Sequence, residues 1–132
     1  YAVGDSRNIA PSGWHVATDS EWTTLSTFLG GESIAGDKLK EIGTSHWLSP
    51  NTGATNSNGF TAFPGGYRFL NGPFFSITNF GYWWSSTECS TDGSTDGSTL
   101  VAWNRSMSYR DKGVYRLGNS KVYGFSVRCL QD

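Results

Sequence analysis

The sequence predicts a single α+β domain in which two short helices come early and antiparallel strands follow. A chain of 132 residues has the size of one domain with one core. Helical spacing of apolar residues is confined to the part before Gly43, whereas period-two alternation and hairpin signals dominate from Phe60 onward. Aromatic residues make up 15% of the chain against only 16% charged, with 17 glycines, which suits a loop-rich, aromatic-cored domain better than a helical bundle.

Taken in order, Pro11-Ser12-Gly13 reads as a turn and Trp14 to Ala17 as a short strand. Thr18 followed by Glu21 is a capping box, in which hydroxyl and carboxylate each satisfy a backbone amide of the other. Trp22, Leu25, Phe28 and Leu29 are then expected on one buried helical face, and Gly30-Gly31 supplies the stop. A second helix is expected from Ser33 to Ile42. Ile34, Leu39 and Ile42 would face the core, Lys38 and Lys40 would sit at its cation-tolerant end, and Gly43 would close it.

After Trp47 the texture changes. Ser49 to Gly59 is a polar loop, and Phe60 to Phe69 reads as a strand bent at Pro64-Gly65-Gly66. Asn71-Gly72 signals a hairpin leading into Phe74, Phe75 and Ile77. Further strands are expected at Tyr82 to Ser86, Leu100 to Met107, Val114 to Leu117 and Val122 to Leu130. In the last of these Tyr123, Phe125, Val127 and Cys129 alternate as in a half-buried strand. Ser90 to Thr99, STDGSTDGST, is a polar repeat expected as an exposed loop or hairpin tip.

Charge and hydropathy exclude some functions. A formal charge of −1 leaves no electrostatic footprint for nucleic acid or an anionic membrane. No apolar run approaches the roughly 20 residues that span a bilayer, so no direct membrane insertion is expected. No signal peptide stands at Tyr1, and the chain begins as if cut from a longer one. Cys89 and Cys129 fit two readings, a single bridge in an extracellular setting or two buried thiols.

The functional expectation rests on the contrast between a rigid frame and a polar segment. Tyr82, Trp83, Trp84, Trp103 and the last strand would hold a run of Ser, Thr, Asp, Gly, Arg, Lys and Asn between Ser90 and Lys121. Asn104, Ser106, Ser108, Arg110, Asp111, Lys112, Tyr115, Leu117 and Asn119 are the candidate ligand-binding residues. On a strand, Asn104, Ser106 and Ser108 should point to solvent while Trp103, Arg105 and Met107 point inward. Tyr109 and Tyr115 supply amphipathic contact area, and Arg105, Arg110 and Arg116 supply guanidinium forks, a composition like that of antibody paratopes. Ordinary surface residues of an antiparallel sheet would give a similar list.

Five ordered motifs, PSGWHVATDSEWTTL, GGESIAGDKLKEIGTSHW, GFTAFPGGYRF, GYWWSST and YGFSVRCL, resemble the Fibrobacter succinogenes major paralogous domain from about Ala10 to Asp132. That resemblance implies a C-type lectin-like fold related to formylglycine-generating-enzyme-like domains, in secreted or surface-attached proteins of bacteria such as gut Bacteroidetes. The family commonly has a cysteine before PSGW, the natural partner for Cys129, where this chain has Ala10; Cys89 stands where a tyrosine is common. Lectin-fold domains with a GFSVRC-type tail also resemble the variable proteins of diversity-generating retroelements. The candidate residues include types reachable from Asn codons by substitution at adenines, and a drifting solvated loop would give much the same list.

The expected ligand is a protein or a glycan, with no cofactor and no metal. His15 and His46 lack spaced ligand partners and read as buried, hydrogen-bonded side chains. The resemblance to sugar-binding lectins would place a carboxylate after Trp103-Asn104, where this chain has Arg105, and Asp92 and Asp96 alone make a weak calcium site. No Ser-His-Asp set, carboxylate pair or phosphate loop can be assembled, so no enzyme is expected. The alternative to a binding module is a structural module of a surface or pilus-like assembly. It would need an apolar patch near the tail, where only Leu100, Val114 and Leu117 offer one.

Overall fold

The computed structural model describes residues 1–89 and 100–132, so the expectations for the STDGSTDGST repeat, including Asp92 and Asp96, fall outside the described residues. The chain is a mixed α+β domain. A short 3-10 helix, Ala2–Gly4, leads to strand β1, Trp14–Val16, and to helices α1, Asp19–Phe28, and α2, Glu32–Leu39. Strands β2, Tyr67–Arg68, and β3, Phe74–Phe75, form a hairpin across Asn71-Gly72. Strands β4, Phe80–Cys89, β5, Val101–Ser108, β6, Tyr115–Ser120, and β7, Ser126–Val127, form a four-stranded sheet in the order β6-β5-β4-β7, in which β7 runs parallel to β4. Strand β8, Cys129–Gln131, pairs antiparallel with β1. No helix among the described residues is long and apolar enough to cross a membrane.

The start of α1 follows the sequence. Thr18 accepts from the Glu21 amide at 3.2 Å while the Glu21 carboxylate accepts from the Thr18 amide at 2.8 Å. Trp22, Leu25, Ser26 and Leu29 then make the stripe facing the core. Phe28, expected on it, is 85% exposed. At about 100° per residue it lies well off the arc those four share.

Helix α2 is shorter than expected and buries a different face. Ala35, Gly36 and Leu39 are its buried residues, whereas Ile34 is exposed and Ile42 lies beyond the helix on the surface. At Lys40 the backbone leaves the helix for an extended conformation and pairs with Ala62. That turn sends the Lys40 side chain inward instead of to the helix end.

The helices pack on one face of the four-stranded sheet. Trp22, Leu39, Trp47, Trp83, Met107 and Val114 form the core there, with Phe60 and Tyr109 packed against it. Trp47 is oriented by its indole N–H, which donates to the Ala62 carbonyl at 2.9 Å. Trp83 and Trp84 alternate across the sheet, so Trp84 faces the other side and stacks on Phe125 with centroids 4.3 Å apart.

Two expected strands are corrected. Within Phe60 to Phe69 only Tyr67 and Arg68 are strand. The Val122 to Leu130 segment divides into β7 and β8, which join different sheets, so its alternation is not that of one continuous strand. Tyr123 and Phe125 join Tyr67, Phe69, Tyr82 and Trp84 in a second aromatic cluster on the face away from the helices, Val127 is exposed and Cys129 half-buried. Cys89 and Cys129 are not joined in a disulfide.

Candidate functional site

The nine candidate residues divide among the buried strand β5, the connection after it and strand β6. Asn104, Ser106 and Ser108, expected at the surface, are 0%, 3% and 4% exposed. They do lie on the face opposite Met107, as alternation requires. Their strand is central, however, and its register sets Asn104 between Trp84 and Leu117 and Ser106 between Tyr82 and Tyr115. Short polar side chains flanked by long ones on neighbouring strands are closed over. Asn104 is engaged there, donating to the Leu117 carbonyl and to Asn119 Oδ1, both at 2.8 Å.

Residues 109–114 connect β5 to β6 over the end of α2. The connection is held by Lys40, a fully buried lysine whose Nζ donates to the carbonyls of Thr52 at 3.0 Å, Ser108 at 3.0 Å and Asp111 at 2.7 Å. Burial pushes the Lys40 ammonium down to about 8, against the pull of the Asp111 and Asp37 carboxylates, so it stays charged at neutral pH. Further bonds complete the anchorage: the Thr52 amide to the Tyr109 carbonyl at 2.9 Å, the Val114 amide to the Glu32 carbonyl at 2.7 Å, and the Gly113 amide to Asp111 Oδ1 at 2.9 Å. Gly36 lets the helix approach so closely that a Cβ there would collide with the Gly113 and Lys112 carbonyls.

On this anchored connection Arg110 and Lys112 are exposed and Asp111 is half-buried. Arg110 Nε donates to the Tyr109 hydroxyl at 2.7 Å, and its guanidinium lies 5.2 Å from that ring's centre. Tyr115 is 46% exposed, with its ring beside Gly113. Desolvation, and then a hydrogen bond to Asp111, raise its phenol above the ordinary value. Leu117 and Asn119 are half-buried on β6. The structure therefore brings Arg110, Asp111, Lys112 and Tyr115 together at the surface and places Asn104, Ser106 and Ser108 beneath it.

The other arginines of the tail are structural. Arg105, fully buried, donates to Asp19 Oδ1 at 2.7 Å and to the Thr23 hydroxyl at 2.9 Å. Arg116 donates to both Asp19 oxygens and lies 3.4 Å from the centre of a Trp103 ring. Trp103 is accordingly half-buried under a guanidinium rather than enclosed in the core. Burial pushes the Asp19 carboxyl up, but Arg116 and Arg105 outweigh it and hold the carboxyl below its ordinary value.

The histidines are hydrogen-bonded as expected but not buried. His15 joins Asp132 at 2.6 Å and Glu21 at 2.9 Å, and these two carboxylates raise its pKa. His46 sits on the surface against Glu41 at 2.9 Å. Among the described residues no group of three or more His, Cys, Asp or Glu side chains is placed to hold a metal ion.

A cavity of about 430 Å³ opens on the sheet face away from α1 and α2, where the Ala2–Gly4 segment meets β4 and residues 121–125. Arg68, Trp84, Glu88, Lys121, Tyr123 and Phe125 line it, with no candidate residue among them.

The family model described as the Fibrobacter succinogenes major domain matches residues 1–131. The chain belongs to this family. No curated protein matches it, and neither does any solved structure.

In this Fibrobacter succinogenes major domain, the residues that sequence reasoning missed are Lys40 and the lining of the cavity. Lys40 sits in an amphipathic helical pattern with Lys38, and nothing local separates a lysine that turns inward from one that stays in water. Tyr123 and Phe125 carried a signal, their alternation, but alternation does not say which of two sheet faces is covered.

Proposed function

We propose that this chain is a ligand-binding domain of adhesin or receptor type, from a bacterial surface or secreted protein, on a C-type lectin-like fold. The element order supports the fold assignment: a strand, two helices, a long irregular segment and then antiparallel strands. The observation that carries the functional reading is the anchored connection. Arg110, Lys112 and Tyr115 stand in solvent on a backbone held by a buried lysine and a helix contact. A backbone ordered in advance lowers the entropy lost on binding, and Tyr and Arg are the side chains that dominate recognition surfaces.

On this reading a diversity-generating retroelement would act on the codons of Arg110, Lys112, Tyr115, Leu117 and Asn119. It would spare Asn104, Ser106 and Ser108, which the sheet encloses. Population sequencing of the downstream end of the gene tests this, and substitutions spread evenly over buried and exposed codons would overturn it. The recognition face is tested by screening the labelled domain against glycan arrays and displayed peptides. A variant with Arg110 and Lys112 both changed to alanine should lose any ligand retrieved by about tenfold or more while melting like the parent. Retention of the ligand by that variant would overturn the assignment.

A second reading, a structural module of a surface or pilus-like assembly, is favoured by the β2–β3 hairpin, where Leu70, Phe74 and Phe75 are exposed with Ile77 just beyond. Sedimentation over a concentration series tests it: self-association abolished by Phe74→Ser would favour assembly over display.

A further inference from the structure

The cavity on the sheet face away from α1 and α2 has no part in the tail-segment reading. At about 430 Å³ it falls within the range of roughly 300–1,000 Å³ typical of small-molecule pockets. One wall is a series of nearly parallel rings. Trp84 lies on Phe125 at 4.3 Å and 25°, and Tyr123 continues from Phe125 at 6.1 Å and 29°. A further flat ring at that wall would meet ring edges or faces, and edge-to-face and offset-stacked contacts are both favourable.

Among the described residues, three charged side chains line the cavity. Lys121 donates to Glu88, so those two compensate each other. The stem of Arg68 packs over Gly124, and its guanidinium has no hydrogen-bond or ion-pair partner among the described residues. Among the described residues, Arg68 is thus the cavity's one side-chain cation without a partner, an exposed planar group. A guanidinium matches a carboxylate in a two-point contact, and a single cation balances a single negative charge. A dianion would leave excess charge beside Glu88.

We propose that this cavity binds a small ring-bearing carboxylate, with the carboxylate on Arg68 and the ring against Trp84, Phe125 and Tyr123. An aromatic acid and an acidic sugar share that chemistry, so the test uses both. Phenylacetate and methyl glucuronide are titrated into the isotope-labelled chain, with phenylethanol and methyl glucoside as neutral counterparts, and binding is followed by chemical-shift changes.

The expected result is that at least one acid shifts resonances of the cavity residues and binds about tenfold or more tightly than its neutral counterpart. Arg68→Gln should bring that acid to the neutral level, and Phe28→Ala should leave it unchanged because Phe28 is exposed on α1 and does not line the cavity. Binding of phenylacetate alone assigns the site to aromatic acids, and of the glucuronide alone to acidic sugars. The proposal is overturned if neither acid shifts cavity residues, if the neutral compounds bind equally well, or if Arg68→Gln has no effect. The comparison of acid with neutral compound on the unaltered chain decides the matter even if the variant folds poorly.

Discussion

Replacing Lys40 with methionine tests how the exposed connection is held. Methionine keeps most of the stem's volume, so the principal loss is the ammonium and its bonds to Thr52, Ser108 and Asp111. The bond to Ser108 is buried, and leaving such an acceptor bare costs about 1–3 kcal/mol. The other two bonds are only partly buried, so water can replace the donor and each loss falls to about 0.5–1.5 kcal/mol. Relief of the ammonium's own desolvation, visible in its depressed pKa, offsets part of this. The net destabilisation should be about 2–3 kcal/mol, a fall in Tm of roughly 10 °C for a domain of this size. Urea unfolding reads the total, and amide exchange reads its location: residues 109–113 should lose protection before the β4–β5 ladder does. A loss below about 1 kcal/mol with unchanged exchange would refute the view that Lys40 holds the connection.

Asp19→Ala should destabilise by about 3–5 kcal/mol in urea unfolding, because it strands the fully buried Arg105 guanidinium and frees Arg116. Gly36→Ala should cost well over the few tenths that a neutral helix substitution would, since its Cβ must displace the Gly113 backbone; a melt equal to the parent's would show that the helix does not press on the connection. Trp83→Ala should cost about 3–5 kcal/mol, whereas Lys112→Ala should stay within about 0.5 kcal/mol, and comparable losses would refute the division into frame and face. The His15 contacts give a signed pH dependence. The folded pKa is raised by Asp132 and Glu21, so this stabilisation is complete below the unfolded value near 6.5 and is lost as pH rises through the folded value. His15→Gln should remove that component from the stability–pH profile.

What was legible in the sequence was local. The Thr18–Glu21 capping box, the Asn71-Gly72 hairpin and the long strands around Trp84 and Asn104 each depend on residues a few positions apart, and each formed. The side-chain alternation of β5 was legible too, since it follows from the strand geometry alone.

What the sequence could not supply was the environment each side chain enters. Asn104, Ser106 and Ser108 lie on the expected face, but their burial depends on Trp84, Leu117, Tyr82 and Tyr115 from neighbouring strands. Lys40 is buried because carbonyls from residues 12, 68 and 71 positions along the chain converge on it. The cavity likewise needs the N-terminal turn, β4 and the tail to meet. Hydrogen-bonding and steric preferences of the backbone act over one turn or one hairpin, and they determined the elements. Burial, pairing of charges and the shape of a site depend on groups distant in sequence, and only the tertiary structure decided those.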